Sequence, residues 1–408
     1  MNIKWKILSP HDFFNQMSPS KFKIDNGIVK PRSFEGIMWL YILEEIIYFE
    51  TEVDRCDKIN AITSSLIACI KIKFDADFFV AELKKNIKIV QKKHIEKKVL
   101  LALLSIEFPG DIEEINFFDT RINFYKNEYP SLYYTLTPRL HNLTSTEEKH
   151  YTKISLTQST HLNEIEPLLR NLNIFRAILC VHSNDYMVMG HNYYEPINLI
   201  RLGKNYCLYS EKELIQWGNQ GEYKYFPKKT AHIKGEMQNV IEMIKRIESI
   251  QNKNYKNIIK ESLLIYVNAL DDYDSNTALS LLWNSLDKLS NSSKGNYDQV
   301  LKRVASIGMN YSYDKILLEN IKNIRNDYVH QGIENSRAKI FCYQLQYYFK
   351  ELLQFHLDNL NLFSDIQEAN EFLTYISKLN ELKGDNKNYL LVKKALPHQK
   401  GLIIKGNL

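Results

Sequence analysis

The chain has 408 residues, enough at ~150 residues per domain for two or three domains with real cores, so a single small module is excluded. Fourteen glycines and ten prolines are about half the usual share, which rules out collagenous and linker-like classes, while 44% hydrophobic and 25% charged residues rule out a disordered chain. A net charge of +5 on 53 basic and 48 acidic residues sets up no whole-molecule field for nucleic acid or anionic lipid, so any polyanion site has to be local.

The amino end, Met1 to Phe14, carries Lys4, Lys6, His11 and Asp12 and has no apolar leader core. The longest apolar runs, Ile37 to Leu43 and Val99 to Leu104, fall far short of a membrane span, so the expectation is an unexported protein with no membrane contact. Residues 36–50 and 78–105 repeat their apolar positions at three and four, which predicts two helices. The second carries Lys84, Lys85, Lys88, Lys92, Lys93, His94, Lys97 and Lys98. With Ile87, Val90, Ile95 and Val99 interleaved, this run reads as the solvated face of an amphipathic helix rather than as a path for RNA. From about 115 to 235 the texture turns to Tyr, Phe, Thr and Asn, and short strands are expected at Tyr133 to Leu136, Ile154 to Leu156 and Ala177 to Val181. After Lys234 the helical period returns, with an all-helical block over 258–357 and a further helix from Asp365 to Leu382. The predicted class is mainly α with an α+β amino-terminal region. Its domains are 1–250 for sensing or recognition (with an internal boundary near 112), 251–360 as the helical block, and 361–408 as a helix and tail.

Five cysteines, Cys56, Cys69, Cys180, Cys207 and Cys342, are odd in number and lack a C-x-x-C pair, which speaks against a disulfide framework and a zinc site and for a reducing cytoplasm. Neither phosphate-binding glycine fingerprint is present, nor H-E-x-x-H or G-x-S-x-G, so no cofactor is expected. Asp272-Tyr273-Asp274 has a metal-sharing spacing but sits beside Asp271, Ser275 and Asn276, and reads as an inter-helix turn capping a helix that starts near Thr277. His182 and His191 flank a Tyr-rich segment without a third ligand, so no metal is assigned to them.

Only 11 of the 53 basic residues are arginine, and one of these opens the segment Arg325-Asn326-Asp327-Tyr328-Val329-His330-Gln331-Gly332. Arg-x4-His is a cheap spacing, and Arg176-x5-His182 nearly repeats it around an apolar interior that predicts a buried strand. Context separates them. The segment at Arg325 closes a helix that begins near Lys315, and Gly332 supplies a C′ residue. It is third in an ordered set of four helices, whose second contains Leu282-Trp283-Asn284-Ser285-Leu286-Asp287. RNDYVHQG resembles the R-N-x-x-x-H segment of the HEPN superfamily of helical ribonucleases, and LLWNSLDKL is similar to the W-x-A-L-E signature of its Apea-like branch. The likeness covers about residues 258–357, with Ser285 for the usual Ala and Asp287 for the usual Glu. It implies a four-helix bundle, a homodimer, metal-independent RNA cleavage, and a role as toxin or abortive-infection effector against phage, with a phage-derived trigger or an antitoxin as further partner. The implied catalytic residues are Arg325, His330 and Asn326, with Asp287 as an accessory.

The residues suit that chemistry on their own. Cleaving RNA through its 2′-OH needs a proton acceptor, a proton donor and positive charge on the non-bridging oxygens. A histidine titrates near neutrality and serves one proton step, an arginine fork matches a phosphate, and Asn326 can orient either. Five residues on a straight helix turn about 500°, or 140° net, so Arg325 and His330 do not share a face. Either the helix ends between them or two copies of the segment converge across a dimer axis. Trp283, beside Leu279, Leu282, Leu286 and Leu289, is expected in the core. The rival reading is a non-catalytic HEPN scaffold that binds nucleotide, RNA or a partner protein. A CRISPR-associated ribonuclease gated by a cyclic oligonucleotide would need a Rossmann-like amino-terminal domain, and the long helical opening speaks against it.

Overall fold

The computed structural model describes residues 3–6, 9–25, 28–49, 55–90, 95–110, 112–143, 148–160, 165–184, 197–219, 230–233, 235–290 and 296–383. The chain is mainly helical, with an amino-terminal α+β region and a six-stranded sheet. Two compact units divide it: Met1–Leu100 with Thr157–Pro167 and Leu208–Gln216, and Leu101–Leu156 with Leu168–Cys207 and Trp217–Leu408.

The first unit opens with β1 (Ile3–Trp5), α1 (Pro10–Gln16), β2 (Phe22–Asp25), β3 (Ile28–Pro31), α2 (Phe34–Ile46), β4 (Ile47–Phe49), α3 (Arg55–Lys71) and α4 (Ala76–Val90). β1 pairs antiparallel with β4, and β2 with β3. Their core is aromatic: the rings of Phe13 and Trp39 meet edge to face at 5.1 Å, Phe14 and Phe79 at 5.1 Å, and Phe13, Leu43, Leu66 and Phe79 are fully buried. Burial of such rings is the largest single contribution a small core can gather.

The sheet strands are β5 (Glu96–Leu104), β6 (Glu114–Phe117), β7 (Thr120–Tyr125), β8 (Thr152–Thr160), β9 (Asn205–Tyr209) and β10 (Leu214–Asn219), in the order β10-β9-β5-β8-β7-β6. α5 (Ser131–Leu136) and α6 (Glu166–Ser183) fall between them in sequence. β6 and β7 form an antiparallel hairpin in which Phe117 faces Thr120, and the turn residue Phe118 is held at a left-handed φ of 52°. The Glu248 carboxylate accepting its N–H at 2.6 Å and the Lys260 ammonium 3.8 Å above its ring hold that unfavourable conformation.

Four expected elements change. The helix expected over 36–50 stops at Ile46, and Ile47–Phe49 form β4. Val99 to Leu104 is not the end of a helix but the buried part of β5, and α4 stops at Val90. Ala177 to Val181 is not a strand: it lies within α6, whose residues 174–181 are all buried. Tyr133 to Leu136 belongs to α5, one short helix set off by Pro130. The lysine run is accordingly split, with Lys84, Lys85 and Lys88 on α4 and Lys97 and Lys98 on β5, where Lys98 is buried and bonded to Glu96 at 2.9 Å. Lys92, Lys93 and His94 lie outside the described residues, as does His191. Ile154 to Leu156 does form a strand, within β8.

The remaining helices are α7 (Met237–Ser249), α8 (Lys253–Asp271), α9 (Ser275–Ser290), α10 (Tyr297–Ala305), α11 (Tyr311–Gln331), α12 (Ala338–Asp358) and α13 (Ile366–Lys383). α9 is the hub, packed against α8, α10, α11 and α12. Its Leu279, Leu282, Trp283, Leu286 and Leu289 are buried on that account, as the spacing predicts. Asp274 caps α9 by accepting the N–H of Thr277 at 3.0 Å, so the Asp-rich patch is the inter-helix turn that its sequence predicts. Among the described residues no helix is long and apolar enough to cross a membrane.

His356 of α12 is fully buried, with the Tyr255 hydroxyl 2.8 Å from its Nδ1. Burial pushes its imidazole down to about 3, because the charged form loses its water. The unfolded chain therefore takes up this proton below about pH 6.5 while the folded chain does not, so stability falls as pH drops from there towards 3. For one proton the expected loss at pH 4.5 is about 2–3 kcal/mol relative to neutral pH. Urea midpoints at the two pH values check this, and His356→Gln, which keeps an acceptor for Tyr255, should remove that part of the acid sensitivity.

Candidate functional site

α11 is built on two stripes. Asp314, Leu318, Ile321 and Arg325, spaced four, three and four, are its buried residues. Tyr313, Ile316, Asn320, Asn323, Asp327 and His330, spaced three and four, are all exposed. The guanidinium of Arg325 thus occupies the place where an amphipathic helix puts a leucine.

The helix does not end between Arg325 and His330. It runs unbroken to Gln331 and stops at Gly332, whose φ of 69° is the left-handed cap the sequence suggests. Gly332 donates to the carbonyl of Tyr328 at 2.9 Å and Ile333 to that of Asp327 at 3.3 Å, the pair of bonds that closes a helix. Of the two ways to reconcile the five-residue offset, a helix break is therefore removed. Arg325 is also no surface residue at a helix end, being 8% exposed.

Arg325 rests on a ring. Its Cζ lies 5.1 Å from the centroid of Tyr297, whose ring also meets that of Trp283 at 6.2 Å with planes at 77°. Tyr297, at the start of α10, thus touches both Trp283 on α9 and Arg325 on α11. Nη1 of Arg325 donates to Oδ1 of Asn326 at 3.2 Å, while Nε is buried without a partner. No carboxylate pairs with this guanidinium among the described residues: Asp287, half-buried on α9, makes no ion pair with it, and no hydrogen bond joins it to His330. His330 itself is exposed.

The end of α11 is fixed to the start of α9 by a second tyrosine. The Tyr328 hydroxyl donates to Oδ2 of Asp274 at 2.9 Å and lies 2.8 Å from Oγ1 of Thr277. Burial raises the Asp274 carboxyl, but bonds from Thr277, Tyr328 and Asn276 outweigh it and hold the group below the usual carboxylate range. Neither Tyr297 nor Tyr328 stands out in the sequence. Tyr328 lies inside the Arg-to-His segment, and Tyr297 is an unremarked first residue of a helix.

The near-repeat at Arg176 shows the contrast. Arg176 is also buried, but its two terminal nitrogens meet the two carboxylate oxygens of Asp271 at 2.7 and 2.5 Å. Arg201 adds its Nη1 at 2.9 Å from the Asp271 carbonyl and 3.6 Å from the carboxylate, and Asn198 donates to Oδ1 at 3.0 Å. The charge of Arg176 is spent inside the fold; that of Arg325 is not. Comparison with family models, with curated proteins and with solved structures gives no match for this chain.

Proposed function

We propose that this chain is a metal-independent endoribonuclease of the HEPN type, with α8, α9, α11 and α12 as its bundle, working as a homodimer. The observation that carries the reading is Arg325: a buried guanidinium, cushioned on Tyr297, with an unpartnered Nε and no carboxylate on it among the described residues. Burying an unpaired charge is costly, and sequences keep such a group where an anion from outside completes it. A phosphodiester of RNA has the planar pair of oxygens that an arginine fork accepts.

In this reading the ribose 2′-oxygen attacks phosphorus and the 5′-oxygen leaves. Arg325 and Asn326 hold the non-bridging oxygens, and an imidazolium at His330 delivers the proton that the leaving oxygen needs. The proton of the 2′-OH goes to the neutral His330 of a second copy. The unbroken α11, on which Arg325 and His330 of one chain point 140° apart, supports a two-fold arrangement. Asp287 serves as an accessory on α9. The cellular role, a toxin or abortive-infection effector released by a phage-derived trigger or held by an antitoxin in the cytoplasm, rests on the sequence resemblance. One feature favours the rival, a non-catalytic scaffold binding nucleotide, RNA or a partner protein: no hydrogen bond orients His330 among the described residues.

Digestion of single-stranded RNA by the purified protein, with and without EDTA, separates the two. The expected products carry 2′,3′-cyclic phosphate and 5′-OH ends in both conditions. No cleavage assigns the scaffold, and cleavage that EDTA stops and magnesium restores, or that leaves 3′-OH ends, overturns the mechanism.

A further inference from the structure

α2 is apolar on both of its faces. Gly36, Leu43 and Ile46 are buried, and Leu43 and Ile46 belong to the aromatic-rich core of the first unit, with Trp39 packed against it. Phe34, Ile37, Met38 and Tyr41, at i, i+3, i+4 and i+7, lie on the opposite side and are exposed, Phe34 to 76% and Tyr41 to 56%. Tyr48 of β4, which follows α2 directly, is exposed as well. An amphipathic helix gives this side to polar residues, and an apolar patch left in water marks a contact surface.

The two ends of the stripe carry opposite charges. Arg32, two residues before the helix, is exposed, and so is Glu45, which continues the stripe one turn beyond Tyr41. Neither side chain has a partner among the described residues, whereas the intervening Glu35 is taken up by Lys21 and by Trp39. Arg32 and Glu45 are too far apart to meet within one chain, since thirteen residues at ~1.5 Å each separate them by roughly 20 Å.

A positive end, an apolar middle and a negative end make a surface that is its own complement when turned end over end. We infer that α2 pairs antiparallel with the α2 of a second copy of this chain, about a two-fold axis passing near Met38. The midpoint between Arg32 and Glu45 falls between Met38 and Trp39, and that between Phe34 and Tyr41 falls between Ile37 and Met38, so one axis serves both pairs. Arg32 of each copy then meets Glu45 of the other, and Phe34 lies beside the other's Tyr41. An anionic membrane is the poorer occupant, because it would strip Glu45 of water and offer it no cation. The inference is independent of the cleavage reading, whose surface is α11.

Sedimentation of the full chain tests it, with Arg32→Glu, Glu45→Arg and an equimolar mixture of these two variants. The parent is expected to associate as its concentration rises to about 100 μM, since one helix face is a small contact. If α11 also pairs the chain, the parent grows past the dimer and each variant stops there; if it does not, the parent stops at the dimer and each variant stays monomeric. Each variant alone sets like charges together at both ends and should weaken this step roughly tenfold or more. The mixture should restore it, because in the mixed pair every contact is again an arginine against a glutamate. Met38→Asp should abolish the step, and at 41% exposure its substitution leaves the core intact. A parent that stays monomeric throughout, single variants that associate as the parent does, a mixture no stronger than its components, or binding to phosphatidylglycerol vesicles in place of self-association overturns the proposal. None of these substitutions lies on α11, so a failed ribonuclease assay and a failed α2 contact are told apart.

Discussion

Arg325→Met is expected to abolish RNA cleavage while leaving the protein at least as stable as the parent. An ordinary buried arginine, once removed, strands its partner acids; this one has no acid to strand among the described residues. An apolar side chain of similar length fills the same space on Tyr297 and no longer has to be stripped of water, so a gain of up to about 1–4 kcal/mol is expected. The loss in rate should reach about 10²–10³-fold, the usual effect of removing one preorganised donor from a developing anion. Arg325→Lys keeps the charge but not the fork and should fall between. Exposed His330 gives the complement: His330→Ala should change stability by less than about 0.5 kcal/mol and still stop the reaction. Urea denaturation and RNA digestion on the same preparations check both. A destabilised Arg325→Met, or a His330→Ala variant that cleaves at the parental rate, takes the site away from these residues.

Asp271→Ala should have the opposite profile, with a large loss of stability. Its carboxylate answers two buried guanidinium groups, Arg176 by both oxygens and Arg201 from the side, and also takes the Asn198 amide. Removing it takes away the carboxylate that both buried guanidinium groups meet, an effect of about 3–5 kcal/mol. The helix end it sits on loses nothing else, and the adjacent Asp272→Ala should cost less than about 1 kcal/mol, since Asp272 accepts a single backbone N–H from Asp274. Chemical denaturation of the two variants side by side makes the comparison. An Asp271→Ala protein that unfolds at the parental midpoint excludes this role for the Asp271 carboxylate.

Two apolar runs explain where the sequence was legible and where it was not. Val99 to Leu104 looks like the continuation of a helix and is a strand; Ala177 to Val181 looks like a strand and is helix. Both are buried on every side, so neither β5 nor α6 keeps the polar face whose period distinguishes 2.0 from 3.6. Half-exposed elements keep it: Asp365 to Leu382 matches α13 to within a residue at each end, and Lys315 to Arg325 falls inside α11, which extends four residues before it and six beyond. Of the candidate site, the Arg-to-His segment, the capping glycine and the buried Trp283 were readable, because each is local. What spends the charge of Arg176 and spares that of Arg325 is decided by Asp271, 95 residues from the first, and by Tyr297, 28 residues from the second, and no local pattern carries that information.

The course of the chain through its two units bears on how the protein is made. The first unit takes its last pieces from Thr157–Pro167 and Leu208–Gln216, and β5, β8, β9 and β10 each start in one unit and finish in the other. At ~5–20 residues per second, a ribosome that has released the first hundred residues needs on the order of 5–20 s more to deliver the last of those pieces. During that interval the buried segment of β5 has no β8 or β9 beside it, and its apolar run is a ready surface for chaperones. The aromatic core of α1 to α4, whose buried residues all lie between Phe13 and Ile87, is complete within the first hundred residues, whereas β5 waits for β8 and β9.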